Sequence, residues 1–288
     1  MASHPRTPPV GHIGIAGLGL IGGSVALGVR AAWPAVRLTG VDRPEVLERA
    51  IALGAIDTGA DSVAAFRTCD LVLLAAPIPG ILTLIDETAR AGIDAVVTDV
   101  GSTKRQILHA AKAAGLRRFV GGHPVAGAEL GGLEYARADL FAGRPWVIVD
   151  ESDDRDAVAV VESLAGALGA TPHATDAVAH DRTMAYVSHV PQLVADALMS
   201  AAGNACGRSG LGLAGPAFRD MTRISSSPPD LWQGIFSTNA DFVTEALRAL
   251  QAELPEGSAI GDRRGIDRLF GNAHRWRREL NEVSLPRA

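Results

Sequence analysis

The chain has 288 residues, room for two compact domains or for one large domain with an appendage. Hydrophobic residues make up 47% of it and aromatics only 5%, so the interior is built mainly from Ala, Val, Leu and Ile, as in α/β and helical layers. The net charge of −5 comes without any basic block, which excludes a nucleic-acid or acidic-membrane surface as the main partner and favours a small substrate. Cys69 and Cys206 stand far apart with no CxxC pair, so neither a disulfide framework nor a zinc site can be read, and both are expected to be buried thiols. Residues 1–11 lack an apolar stretch of signal-peptide length, and no apolar run approaches the roughly 20 residues that span a bilayer. The expectation is a cytoplasmic protein, with no membrane partner and a flexible N-terminus over 1–11.

In chain order, residues 12–17 read as a buried strand and 22–32 as the helix after it. A second strand at 36–42 is followed by a helix over 45–53 that ends at Gly54. Strands at 70–76, 95–99 and 118–121 alternate with helices near 80–91 and 104–114. These strands are almost continuously apolar, the pattern of a parallel sheet covered on both faces. After a glycine-rich stretch, a strand at 145–149, a helix at 155–168 and a short strand at 171–173 close the pattern. From Asp176 onward only long helical periodicities remain, about 177–203, 231–253 and 262–281. The chain is therefore read as a Rossmann-type doubly wound, mostly parallel sheet over 12–174 and an all-helical domain over 175–288 for substrate and dimerisation.

Gly17-Leu18-Gly19-Leu20-Ile21-Gly22 follows the first strand and opens a helix. In that context the glycines serve a tight turn, close approach of a pyrophosphate and helix-to-sheet packing, with phosphates at the helix N-terminus. The second strand ends at Asp42, about twenty residues beyond Gly22, where such a unit places a carboxylate on the ribose hydroxyls. Asp42 favours NAD over NADP because its charge repels a 2′-phosphate, while the adjacent Arg43 weakens that preference.

Three further segments are dense in polar groups. Asp99-Val100-Gly101-Ser102-Thr103-Lys104 lies at the carboxyl end of a predicted strand, the edge where open α/β sheets bind ligands. Ser102 reads as facing the substrate, as N-cap of the helix from Lys104, or as both. Gly121-Gly122-His123-Pro124-Val125-Ala126-Gly127-Ala128-Glu129 lies just past another strand. A histidine there titrates near neutrality and can accept an alcohol proton. The helical domain carries His180-Asp181-Arg182, Ser188-His189-Val190-Pro191 and Phe218-Arg219-Asp220-Met221-Thr222-Arg223. Pro191 is expected to interrupt its helix and aim His189 inward. Arg219 and Arg223 share a face if their segment is helical, either as guanidinium clamps for a substrate carboxylate or as a salt-bridged surface.

With these segments in their order, Gly17–Ser24, Asp99–Lys104, Gly122–Glu129, His180–Arg182, Ser188–Pro191 and Phe218–Ile224, nearly the whole chain resembles the prephenate/arogenate dehydrogenase family of tyrosine biosynthesis. The resemblance implies oxidative decarboxylation of prephenate to 4-hydroxyphenylpyruvate with reduction of NAD. It casts His123 as acceptor of the ring hydroxyl proton and has Ser102 hydrogen-bonded to that hydroxyl and to the imidazole. Arg223 would hold the ring carboxylate, with Arg219 beside it, His189 would be a second substrate-site histidine, and Glu129 would guard access. A homodimer is implied, as is a substrate site at which any inhibition by tyrosine would act, since the chain leaves no room for a regulatory domain. Gly215-Pro216-Ala217 and Ser227-Pro228-Pro229-Asp230 depart from the family pattern and bear on selectivity. Arogenate is the rival substrate, and an NAD-binding redox sensor, which would need no such set of polar residues, is the reading without catalysis.

Overall fold

The computed structural model describes residues 7–127, 130–152, 154–255 and 260–283. Short apolar runs bounded by glycine or polar residues become eight strands: β1 (His12–Ala16), β2 (Arg37–Val41), β3 (Thr58–Ala60), β4 (Leu71–Leu74), β5 (Val96–Asp99), β6 (Phe119–Pro124), β7 (Pro145–Val149) and β8 (Thr171–Ala174). They pair in the order β3-β2-β1-β4-β5-β6-β7-β8. Every pairing is parallel except β6 with β7. Strand order reverses between β1 and β4, which opens a crevice beyond the carboxyl ends of those strands.

Five helices cover the sheet: α1 (Leu20–Ala32), α2 (Pro44–Ala52), α3 (Ile78–Arg90), α4 (Arg105–Ala113) and α5 (Arg155–Ala167). Val25 and Val29 of α1 and Val161 and Leu164 of α5 pack with Ile13 and Leu73 in one core; Ile81 and Ile85 of α3 and Ile107 of α4 pack with Phe66 and Val72 in the other. Gly54 ends α2 at φ 67°, the left-handed conformation expected of a glycine at a helix terminus. The segment expected to be flexible is pinned at its end: Val10 is buried, and the Gly11 N–H donates to Asp70 Oδ2 at 2.8 Å.

After β8 the described residues form no strand. They fold as α6 (Ala177–Met184), a π-helical turn (Ala185–His189), α7 (Val190–Leu211), α8 (Pro216–Thr222), a 3-10 turn (Arg223–Ser226), α9 (Pro229–Thr238), α10 (Ala240–Glu253) and α11 (Arg263–Glu282). The α-helical ladder is interrupted next to Pro191, as expected, and His189 is buried. Pro191 stands in the first turn of α7, where its missing N–H is no loss, and the π turn precedes it. The single helix expected over 231–253 is divided at Asn239 (φ −135°). The expectation for the cysteines holds for Cys69, whose thiol burial pushes up to about 12. It fails for Cys206, which is exposed on the end of α7 next to the kink at Gly207.

Candidate active site

The glycine turn closes by steric necessity at both ends. Gly17 has φ 94°, and a Cβ there would strike the Ala75 carbonyl; a Cβ on Gly22 would strike the Gly17 carbonyl. Gly19 is different, because a Cβ there would meet nothing within 4 Å. Packing does not demand its glycine, so the open space over the N-terminus of α1 suits an approaching pyrophosphate. Asp42, at the end of β2, accepts from the Leu18 N–H at 2.6 Å and from the Arg43 N–H at 2.7 Å. Its carboxylate is thereby locked to the turn, 18% exposed, while the Arg43 guanidinium is 82% exposed and 4.0 Å from it. Residues and geometry fit a dinucleotide.

From this turn a cleft of about 340 Å³ runs along the carboxyl edge of the sheet. Leu20 and Ile21 line it beside Gly19, Ser102 enters from the end of β5, His123 from β6, and Pro228 and Leu231 from the helical domain. A hollow of about 360 Å³ near Leu116, Arg117 and Glu151 lies at the opposite strand edge, away from the glycine turn, and brings none of these groups together.

Beneath the cleft lies a buried polar network. Asp99, at the end of β5, pairs with Lys104 Nζ, and both side chains are fully buried. The Asp99 carboxylate also accepts from the Gly101 N–H at 2.7 Å and the Gly122 N–H at 3.1 Å, and Lys104 Nζ donates to the Gly122 carbonyl at 2.7 Å. The ends of β5 and β6, which carry Ser102 and His123, are thus tied to one ion pair.

A second layer joins the two domains. His123 Nδ1 is 2.8 Å from His180 Nε2, and His180 Nδ1 is 2.8 Å from Asp181 Oδ1. Asp181 accepts in addition from the Lys104 N–H at 2.7 Å, the Arg105 N–H at 3.0 Å and Arg105 Nε at 3.1 Å. It therefore caps α4 in place of Ser102, whose hydroxyl has no hydrogen-bond partner among the described residues. Arg105 grips Asp241 through both terminal nitrogens, at 2.8 and 2.6 Å, and the hydrogen bond holds that carboxyl down at about 2. Asn239 accepts from Arg105 at 2.9 Å and donates to the Asp181 carbonyl at 2.8 Å and to His189 Nδ1 at 3.2 Å. The break between α9 and α10 seats this amide.

Burial, then the neighbouring His180, Lys104 and His189, hold the His123 imidazole well below its ordinary range. It is unprotonated at neutral pH and able to accept a proton. Burial lowers His189 to about 4, only partly opposed by Asp181. Since unfolding restores a value near 6.5, the stability that His189 contributes by staying neutral is fully present above about pH 6.5 and declines as pH falls towards about 4. Urea titrations across that window should show a decline on the order of 3 kcal/mol from His189 alone, reduced in His189→Asn. A flat profile would contradict its burial as a neutral base.

His189 is buried beside Trp232, with ring centroids 6.2 Å apart. Arg219 is exposed on α8 and donates from Nε to the Ala214 carbonyl at 3.2 Å. Arg223 stands just past α8 as its C-cap, opening the 3-10 turn. Neither arginine lines the cleft of this chain. Glu129 lies outside the described residues. Sequence reasoning missed Asn239 and gave no role to His180, Asp181 or the Asp99–Lys104 pair, though it singled out the segments that carry them. His180-Asp181 stood out as a polar dipeptide, but nothing in its spacing tied it to His123.

Two family descriptions match the chain: "Prephenate dehydrogenase, nucleotide-binding domain" over residues 25–172 and "Prephenate dehydrogenase, dimerization domain" over residues 176–270. The prephenate dehydrogenase of Lactococcus lactis is 31% identical over 94% of this chain and 78% of its own length. The crystal structure of prephenate dehydrogenase from A. aeolicus with hydroxyphenyl propionate and NAD+ superposes with a TM-score of 0.85 at 28% identity, covering 95% of this chain and 98% of the other. An arogenate dehydrogenase from Synechocystis has a TM-score of 0.74 at 28% identity, over 94% of this chain and 98% of its own.

Proposed function

The chain belongs to the prephenate dehydrogenase family, and from that premise we propose that it oxidatively decarboxylates prephenate to 4-hydroxyphenylpyruvate with reduction of NAD. The observation that carries this reading is one cleft lined by the glycine turn, Ser102 and a His123 ring kept neutral by burial.

Bound NAD supplies the hydride acceptor. His123 takes the proton of the ring hydroxyl as the carbinol C–H bond gives up its hydride. Loss of the ring carboxylate as CO2 then restores aromaticity, and the proton held by His123 returns to the phenolate oxygen. Atoms and charge balance, so a base and anion clamps suffice. Ser102, half-buried with its hydroxyl unengaged among the described residues, hydrogen-bonds the substrate hydroxyl. Asn239 donates to His189 Nδ1, which puts the His189 hydrogen on Nε2, the donor that this reading assigns to the substrate. Arg223 holds the ring carboxylate, with Arg219 near it and Glu129 at the entrance, and Asp42 with Arg43 receives the adenine-side ribose.

The enzyme acts in the cytoplasm as a homodimer. The matched dimerization domain supports the assembly, as do Phe270, Trp276 and Leu280, exposed along α11. No helix among the described residues is long and apolar enough to cross a membrane. Tyrosine, which shares the product's phenol ring, competes at the substrate site rather than elsewhere.

Assays of the purified protein with prephenate and arogenate, each with NAD and NADP, test substrate and cofactor together. Turnover is expected with prephenate and NAD; turnover of arogenate alone would transfer the same mechanism to the amino analogue. Arg223→Ala should raise KM for prephenate about 10- to 100-fold, the loss of a charge-assisted contact of about 1.5–3 kcal/mol, with KM for NAD unchanged. Equal effects on both constants would remove Arg223 from the clamp.

A further inference from the structure

The Asp181 carboxylate is surrounded by donors: two backbone N–H groups, Arg105 Nε and His180 Nδ1. Hydrogen bonds from His180, Arg105 and Lys104 outweigh the upward push of burial and keep it ionised. An ionised carboxylate only accepts, so His180 Nδ1 must carry a hydrogen. A neutral His180 then has a bare lone pair on Nε2. That nitrogen is 2.8 Å from His123 Nδ1, so the hydrogen between the two rings belongs to His123. With His180 neutral, counting protons from Asp181 outward places the last hydrogen on His123 Nδ1.

Resting on the reading of His123 as the base, we propose that His180 and Asp181 are positioning residues that fix His123 as its Nδ1–H tautomer, leaving Nε2 as the nitrogen that accepts the substrate's proton. In the step itself the substrate O–H bond breaks and an Nε2–H bond forms. His123 becomes an imidazolium whose Nδ1–H is still donated to His180, and the Asp181 charge faces the pair through His180. No proton needs to leave the His123 ring until it returns to product. The alternative tautomer would put Nε2–H toward the cleft and a lone pair against His180. That state requires an extra proton on His180, and with it His123 is no base at all.

The network separates this role from mere packing. His180 is buried from α6, His123 from β6, Lys104 from the position just before α4 and His189 from the π turn, and these with Asp99, Asp181 and Arg105 are the titratable and charged groups around the pair. His180→Gln can still accept from His123 Nδ1–H through its amide oxygen; His180→Leu cannot. Misplacing a catalytic tautomer costs up to about 10⁴-fold in kcat in a Ser-His-Asp enzyme. The expectation for His180→Leu is a loss of about 10²- to 10³-fold in kcat, with KM for prephenate changed less than about 3-fold and NADH binding, followed by fluorescence, unchanged. His180→Gln should recover at least about ten-fold of that loss.

Long-range ¹H–¹⁵N correlation spectra of the histidine-labelled full-length protein give a readout independent of turnover, assigned with His123→Asn. The Nδ1–H form of His123 is expected at neutral pH, and an Nε2–H form would overturn the proposal. So would equal activities of the Leu and Gln variants, or wild-type kcat in His180→Leu. The parent reading fails separately, if His123→Asn retains turnover or the wild type turns over neither prephenate nor arogenate.

Discussion

Replacing His123 with asparagine should lower kcat about 10²- to 10⁴-fold, the usual worth of a positioned general base, while NADH binds as in the wild type. Asparagine is the informative choice because its amide N–H can replace Nδ1–H as donor to His180 Nε2, keeping the buried network bonded. What it removes is the basic nitrogen. The pH profile sharpens the expectation. Wild-type kcat/KM should be flat through neutrality and fall only well below pH 6.5, since burial, His180 and Lys104 hold His123 down and acid protonates the base. The residual activity of His123→Asn should lose that limb. A variant within ten-fold of wild-type kcat would mean that another group takes the proton.

Lys104→Met should be the most destabilising single substitution near the site. It removes the ammonium from a fully buried pair and leaves Asp99 with only the Gly101 and Gly122 N–H groups. Breaking a buried pair from one side costs about 3–5 kcal/mol, whereas neutralising both sides is often nearly free. Urea unfolding should therefore show a loss of that size in Lys104→Met and recovery of most of it in Asp99→Asn/Lys104→Met. Burial already strains against the lysine's charge, holding its value below the ordinary one despite Asp99 and Asp181. A single-variant loss under about 1 kcal/mol would show that β5 and β6 are held together by other means.

How far the fold was legible follows the range of each interaction. Leu71–Leu74 and Val96–Asp99 announce themselves as strands because parallel strands are buried on both faces and need unbroken apolar runs. Thr58–Ala60 does not: three residues with a central glycine pair with β2 only because the sheet edge is already there. Helical periodicity located the C-terminal domain but not the break at Asn239, whose conformation answers to Arg105, more than a hundred residues earlier. The site divides in the same way. Gly17–Gly22, Ser102 and His123 could be read because local rules place them at the carboxyl edge of the sheet. The bond from His123 to His180 spans 57 residues and two domains, and no periodicity encodes a polar contact of that reach. Ser102 looked like a cap because capping is usually local; here Asp181 reaches across from another domain to do it.

That crossing limits how the enzyme can be recombined. The nucleotide-binding half carries His123, but Asp181 and His180, which set its proton in the proposed network, arrive with α6. Splicing this half to the helical half of another dehydrogenase at the short linker between β8 and α6 would transplant the cofactor site whole and leave the base without its acceptor chain, unless the donor supplied the same dipeptide at the same step of its first helix. Modularity in this fold therefore extends to cofactor and assembly; the chemistry is a shared property of the seam.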